Sequence, residues 1–113
     1  MNTRKAGARV EWRALWWYRL RGWRILGRNV WIAGYELDLI VRRGRRIAFV
    51  EVKAKGGPRF GDPLEMVTPE KQRRIRRAAE AWLVRHPELD GCVVEFDVVV
   101  DRSGSLERVA HAF

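Results

Sequence analysis

Cys92 is the only cysteine in this 113-residue chain, so no internal disulfide is available. The companion Cys and His residues of a structural zinc site are missing as well, and Cys92 reads as a structural thiol. No uncharged run approaches the roughly 18 to 20 residues of a membrane span. The opening MNTRKAGARVEWR returns to charge before the apolar core of a secretory signal could form. These absences predict a cytoplasmic protein without a membrane span. Internal repeats, low-complexity tracts and linkers are lacking too. Acidic residues are scarce in one half only: residues 1–50 hold Glu11, Glu36 and Asp38 against 12 Lys and Arg, whereas residues 51–113 hold 11 of each sign.

What is present describes a globular chain. Hydrophobic residues make up 47% and charged residues 33%, too apolar for disorder. The length suits one domain spanning 1–113, able to bury about two thirds of its unfolded surface. A formal net charge of +9 suggests a polyanionic partner. Nucleic acid is the most economical choice, although anionic membranes and acidic protein partners attract such a surface too. Arginines scattered over a solvated surface would account for the charge. They would not account for carboxylates at apolar-patterned positions of the basic half.

Periodicity supplies a scaffold. From about Arg4 to Arg21, Val10, Ala14, Leu15, Trp17 and Tyr18 recur at helical spacings, and Gly22 is placed to end the helix. Glu11 falls at the edge of that apolar stripe. WRILGRNVW, YELDLIVRR and RRIAFVEVKA read as three strands, and KGGPRFGDPLEMV as a loop. Thr68, Pro69 and Glu70 start a second helix whose stripe is Ile75, Ala78, Ala79, Trp82 and Leu83, until HPELDG stops it. CVVEFDVVV is a fourth strand, and LERVAHAF can add a short last one. The order is αβββαβ, an α/β fold with a central sheet flanked by helices.

Within GYELDLIVRRGRRIAFVEVKAK the alternation of strand side chains puts Glu36, Asp38 and Ile40 on one face and Leu37, Leu39 and Val41 on the other. Phe49, Glu51 and Lys53 share a face of the next strand. Whether the charged faces coincide depends on the hairpin register. A type II′ turn at Gly44 and Arg45 pairs Arg43 with Arg46 and sets Asp38 opposite Glu51. A two-residue loop of Arg43 and Gly44 makes them diagonal neighbours, and a three-residue loop without a bulge separates them to opposite faces.

Two carboxylates side by side repel unless a cation lies between them. Asp38 and Glu51 therefore read as ligands of Mg²⁺ or Mn²⁺, which use one or two carboxylates, water and phosphate oxygens. Lys53 projects toward the same space, suited to an attacking water or to charge on a phosphate. Glu11, Glu36 and Gln72 are candidates for a supporting shell or a second metal. Blander readings compete: Glu51 and Lys53 as a solvated strand pair, Asp38 as a strand terminator, Glu36 paired with Lys53 for at most about 1 kcal/mol, and Gln72 as a packing or capping amide. The conjunction of adjacent acids, Lys53 in phase and a basic surround favours the catalytic reading. The six Trp residues read mainly as core or rim. Trp12, Trp16, Trp23 and Trp31 could stack on unpaired bases if exposed.

Asp38, twelve intervening residues and then Glu51-Val52-Lys53 resemble the D…(D/E)xK signature of the restriction-endonuclease-like nuclease superfamily, whose core is αβββαβ. The chain is similar over nearly its full length to the YraN-like family of small, largely uncharacterised bacterial proteins. That likeness is carried by Glu11, Asn29, GYELDLIV, FVEVK, the Phe60-Gly61-Asp62-Pro63 stretch, Lys71 to Ile75, and Phe96-Asp97-Val98-Val99. Tyr35 stands between Gly34 and Glu36 where the family usually has Gly directly before Glu. Lys55 replaces the usual Arg, and Glu95 a residue that is often basic. The resemblance implies a restriction-endonuclease-like domain with a mixed sheet, likeness to archaeal Holliday-junction resolvases, and the Val52 carbonyl as a further metal ligand.

Together these predict a Mg²⁺-dependent endonuclease acting on DNA in preference to RNA, with Asp38, Glu51 and Lys53 catalytic. Arg42, Arg43, Arg45 and Arg46 at the hairpin tip, with Lys55, Arg59, Arg73, Arg74, Arg76 and Arg77, are expected to hold phosphates. With little chain beyond the core for reading bases, the expected action is structure-selective or nonspecific. Symmetric cutting of two strands would need a homodimer, for which no interface is legible. The alternative is a non-catalytic nucleic-acid-binding module of a repair or uptake complex.

Overall fold

The computed structural model describes residues 3–54 and 67–113. The chain runs α1 (Thr3–Leu20), β1 (Arg24–Ile32), β2 (Tyr35–Arg43), β3 (Arg46–Lys53), α2 (Pro69–Val84), β4 (Val93–Arg102) and β5 (Ser105–Val109). This is the expected αβββαβ order plus the short last strand. Lys55, Arg59 and the Phe60-Gly61-Asp62-Pro63 stretch, within the segment expected to be a loop, lie outside the described residues.

Local chemistry sets the element ends. Gly22, at φ +85°, takes the left-handed conformation that closes α1. Its N–H donates to the Arg19 carbonyl at 3.1 Å and the Trp23 N–H to the Tyr18 carbonyl at 3.0 Å, a Schellman closure. The Trp23 ring then packs edge-on against Tyr18, with centroids 5.5 Å apart. At the start of α2 the Thr68 hydroxyl accepts from the Lys71 N–H at 3.2 Å, and Pro69 occupies the first turn.

The strands lie in the order β1-β2-β3-β4-β5. All neighbours are antiparallel except β3 and β4, which are parallel and joined through α2. The mixed sheet between two helices is consistent with a restriction-endonuclease-like core. Arg43 pairs with Arg46 across the β2–β3 turn, and Gly44 has φ +61° at its first central position. This is the register that places Asp38 opposite Glu51.

Each face of the sheet receives one helix. Leu39, Val41, Ala48, Val50 and Val99 pack beneath Ala14, Leu15, Tyr18 and Trp23. On the other face Ile40, Ile47, Phe49, Phe96 and Val98 meet Ile75, Ala78, Ala79 and Trp82 of α2. One expectation is corrected here. Leu37 joins the α2-side cluster with Ile40 rather than sharing the face of Leu39 and Val41. The β2–β3 pairing stops at Leu39 and Val50, and the β1–β2 pairing skips Asn29 and Asp38, where Asn29 has φ +51°, so the alternation of β2 slips at Asp38.

A polar network is buried beneath α1. Asp97 is fully buried and Glu95 is 2% exposed. The Tyr18 hydroxyl donates to Asp97 Oδ2 at 2.7 Å, and Arg108 Nη2 donates to the same oxygen at 3.0 Å. Arg46 grips Glu95 Oε1 through Nε and Nη2 at 2.9 and 2.7 Å. Burial works against an ionised Glu95, but its hydrogen bond with Asp97 and the Arg46 guanidinium outweigh burial and lower its pKa. Burial first, and then the Glu95 contact, raise that of Asp97. Glu95 is therefore turned inward as a tie between β3, β4 and β5.

Among the described residues no helix is long and apolar enough to cross a membrane. Replacing Tyr18 with Phe would leave Asp97 with fewer donors, and should cost about 1–2 kcal/mol in a urea unfolding titration.

Candidate functional site

The candidate site forms where β2 and β3 separate. Past the Leu39–Val50 pair the next residues in register are Asp38 and Glu51, but the backbone ladder is not continued there. Instead the Val52 N–H donates to Asp38 Oδ2 at 2.8 Å. The aspartate side chain thus occupies the place a strand carbonyl would take. It is held across the gap toward β3.

Glu51 is 8% exposed. Its Oε1 accepts from the Tyr35 hydroxyl at 3.1 Å and lies 3.5 Å from Lys53 Nζ. Neither contact offsets burial. Burial, followed by the Glu51 charge, pushes the Asp38 pKa up to about 8. Burial also raises Glu51, despite the opposing pull of Lys53 and of the Tyr35 hydrogen bond. Tyr35 is raised in turn, by burial and then by the Glu51 charge.

Groups from both helices reach this end of the sheet. On α1, burial and then the Glu36 charge raise the Glu11 pKa, against Arg28 and a hydrogen bond from Asn29. Asn29 itself adopts φ +51° on β1. On α2, the hydrogen-bonded contact with Lys53 and the charge of that ammonium lower the Lys71 pKa, while Glu51 and Asp38 pull it up. Two ammonium groups therefore face two carboxylates.

The expected residues are thus brought together unevenly. Asp38, Glu51 and Lys53 converge, and Glu11 and Glu36 belong to the same electrostatic neighbourhood. Gln72 spends its amide nitrogen on the Val67 carbonyl at 3.0 Å, fastening the entry to α2. The hairpin arginines sit about 16 Å along the strands from Asp38, at roughly 3.3 Å per residue. There Arg42 bonds the Gly44 carbonyl, Arg43 that of Arg21, Arg45 that of Gly91, and Arg46 is paired with Glu95. Arg73, Arg74 and Arg77 line a shallow cleft with Glu70 on α2, and Arg76 lies over Phe96 and Phe113. Arg74 is near enough to act on the Tyr35 hydroxyl.

Sequence reasoning overlooked Tyr35 and Lys71 as site residues. Tyr35 was noted only as a departure in spacing. Lys71 had one signal, its place two residues past the Pro69 helix start, which directs it back toward the strand ends.

The donor set fits a hard divalent cation. Among the described residues no three His, Cys, Asp or Glu side chains converge as a ready-made cage. The pair offers oxygen ligands only, Glu51 buried and Asp38 half-buried, which is the two-carboxylate arrangement of Mg²⁺ sites completed by water and substrate. A strand residue turns its N–H and C=O toward the same neighbour, so the Val52 carbonyl also faces the gap at Asp38.

A profile of the Uncharacterised protein family UPF0102 matches residues 10–100. A UPF0102 protein of Geobacter metallireducens is 35% identical over 112 residues, covering 98% of this chain and 91% of the relative. One from Alkalilimnicola ehrlichii is 39% identical over 109 residues, covering 96% and 86%. Another, from Methylorubrum extorquens, is 44% identical over 97 residues, covering 86% and 74%.

Without metal, native Asp38 keeps a proton between about pH 4 and pH 8 that the unfolded chain has released, so stability falls as pH rises through that window. Asp38→Asn, whose amide oxygen can still accept from Val52, should therefore stabilise the protein at pH 8 in EDTA by about 1–3 kcal/mol. At pH 4 the gain should vanish, as read by thermal denaturation at both values.

Proposed function

We propose that this chain, which belongs to the Uncharacterised protein family UPF0102, is a metal-dependent nuclease that hydrolyses phosphodiester bonds in DNA. The observation that carries the reading is the opposed pair of half-buried Asp38 and buried Glu51 at the end of the β2–β3 ladder, faced by Lys53 and Lys71. Burial raises both carboxylates despite the ammonium groups beside them, and carboxylates so perturbed next to cations mark candidate functional sites.

Asp38, Glu51 and the Val52 carbonyl would hold Mg²⁺ or Mn²⁺. When bound, that ion supplies Lewis-acid polarisation of the phosphodiester and acidifies a water. The chain does the rest. The Val52 N–H fixes the Asp38 carboxylate, and the Tyr35 hydroxyl orients Glu51 through Oε1. The Lys53 ammonium, tethered 3.5 Å from Glu51, offsets charge that develops on phosphate oxygens. Lys71 adds a second cation from α2 to draw in the phosphate. Arg73, Arg74 and Arg77 extend that basic flank along the helix, where contacts to phosphate would be salt-sensitive and indifferent to sequence. The core carries little that could read bases, so structure-selective or nonspecific cutting follows.

The test is cleavage of linear, branched and flapped DNA, and of RNA, with Mg²⁺ or Mn²⁺. Asp38→Ala and Lys53→Ala should each lower the rate by at least about 100-fold. Equal cleavage by wild type and both variants would defeat the assignment, and binding without cleavage under every metal would favour a non-catalytic module. Lys71→Ala should weaken binding on all substrates alike and reduce the slope of log affinity against log salt by about one.

A further inference from the structure

Three of the six Trp side chains are left in water on one flank. Trp31 is 70% exposed, Trp16 49% and Trp12 48%, whereas Trp23 is 4% exposed. The flank belongs to α1 and to β1, one of the two edge strands of the described sheet. Trp12, Trp16 and Arg19 follow one another at i, i+4 and i+7 on the solvent side of α1. Arg28 of β1 lies over the Trp12 ring, 4.6 Å from its centroid, and Arg19 lies 5.2 Å from that of Trp16.

This aromatic and basic flank borders the carboxylate cluster. Glu11, next to Trp12, feels the charges of Arg28, Glu36 and Glu51. Glu36 is the cross-strand partner of Trp31. A chain that touches Trp12 and Trp31 therefore passes beside the acids. Its chemistry follows from what the flank offers. Flat π faces with arginine beside them suit unpaired bases and their phosphates. In a duplex the base faces are already stacked, and such rings would find nothing to cover.

We propose that Trp12, Arg28 and Trp31 form a stacking face for unpaired nucleotides, so that the strand presented to Asp38 and Glu51 is single-stranded at a flap, junction or frayed end. The inference rests on the nuclease reading and names the substrate class of that site. Trp12 and Trp31 act as base platforms, and Arg28 holds the Trp12 ring while meeting a phosphate.

Binding separates this from turnover. In an Asp38→Asn background, fluorescence anisotropy would follow labelled single-stranded, flapped and blunt duplex DNA at fixed moderate salt. Trp12→Ala and Trp31→Ala should each weaken single-strand and flap binding about 5- to 100-fold, and change blunt-duplex binding by less than about two-fold. Trp12→Phe and Trp31→Phe should retain most of the affinity, and thermal melts should match wild type because both rings are exposed. Unchanged single-strand affinity, or equal loss on duplex and single strand, would overturn the stacking face. So would a face that serves a second copy, seen as a wild-type dimer in sedimentation that Trp31→Ala dissociates without altering DNA affinity, or one that serves anionic vesicles with DNA affinity unaltered. Cleavage by the parent protein is scored separately. Tryptophan-independent binding with intact cleavage sinks only the stacking face, and tryptophan-dependent binding without cleavage in any metal supports that face while sinking the nuclease.

Discussion

The hydrogen bond from the Val52 N–H to Asp38 Oδ2 is the contact on which the site depends. It replaces a backbone ladder bond with a side-chain one just where β2 and β3 part. A continued ladder would leave no opening between the strands, and an early end without this bond would leave a buried N–H unpaired and the carboxylate free to turn outward. With it, the strands separate while Asp38 stays aimed at Glu51. The opening is therefore built into the sheet rather than borrowed from a loop, which suits a site that must hold two repelling groups in fixed positions.

The sheet carries a second carboxylate pair, and the contrast between the two is informative. Glu95 and Asp97 are deeply buried beneath α1, but Arg46, Arg108 and Tyr18 surround them with donors. Their electrostatics are settled within the fold, and their effect is to bind β3, β4, β5 and α1 together. Asp38 and Glu51 receive one backbone N–H, one phenol and a lysine at 3.5 Å, and their pKa values remain high. The first pair is gripped by two guanidinium groups and ties the fold together. The second has fewer donors and no arginine, which leaves it suited to chemistry.

The basic residues divide in the same way. The hairpin arginines look in the sequence like part of one phosphate-binding cluster with the acids, yet they lie at the end of the sheet away from Asp38, where each also contacts a carbonyl, Glu95 or the Trp23 ring. Charge in a sequence reports sign and number, not distance from a site that folding has yet to assemble. The α2 basic residues fare differently, since the helix begins beside the strand ends and Lys71 falls next to Lys53.

Much of this was legible in the sequence, for a local reason. Alternation in a strand and recurrence in a helix are set by backbone geometry, so YELDLIVRR, RRIAFVEVKA and the two apolar stripes disclosed their elements, while the sequence left three hairpin registers open and the Arg43–Arg46 pairing selected the one that sets Asp38 opposite Glu51. The Leu37 face departs from simple alternation because the strand is irregular at Asp38, where the pairing with β3 stops and the pairing with β1 skips Asn29 at φ +51°. Tyr35, Lys71 and the Glu95–Asp97 network were out of reach, since each depends on where a helix or a distant strand is laid across the sheet. Which tryptophans stayed in water was beyond the sequence for the same reason. By itself the sequence determined the order of helices and strands and the few registers open to the β2–β3 hairpin, because periodicity and turn geometry are local. Only the tertiary structure decided which cations and rings meet the acids, because neighbours across layers are chosen by packing.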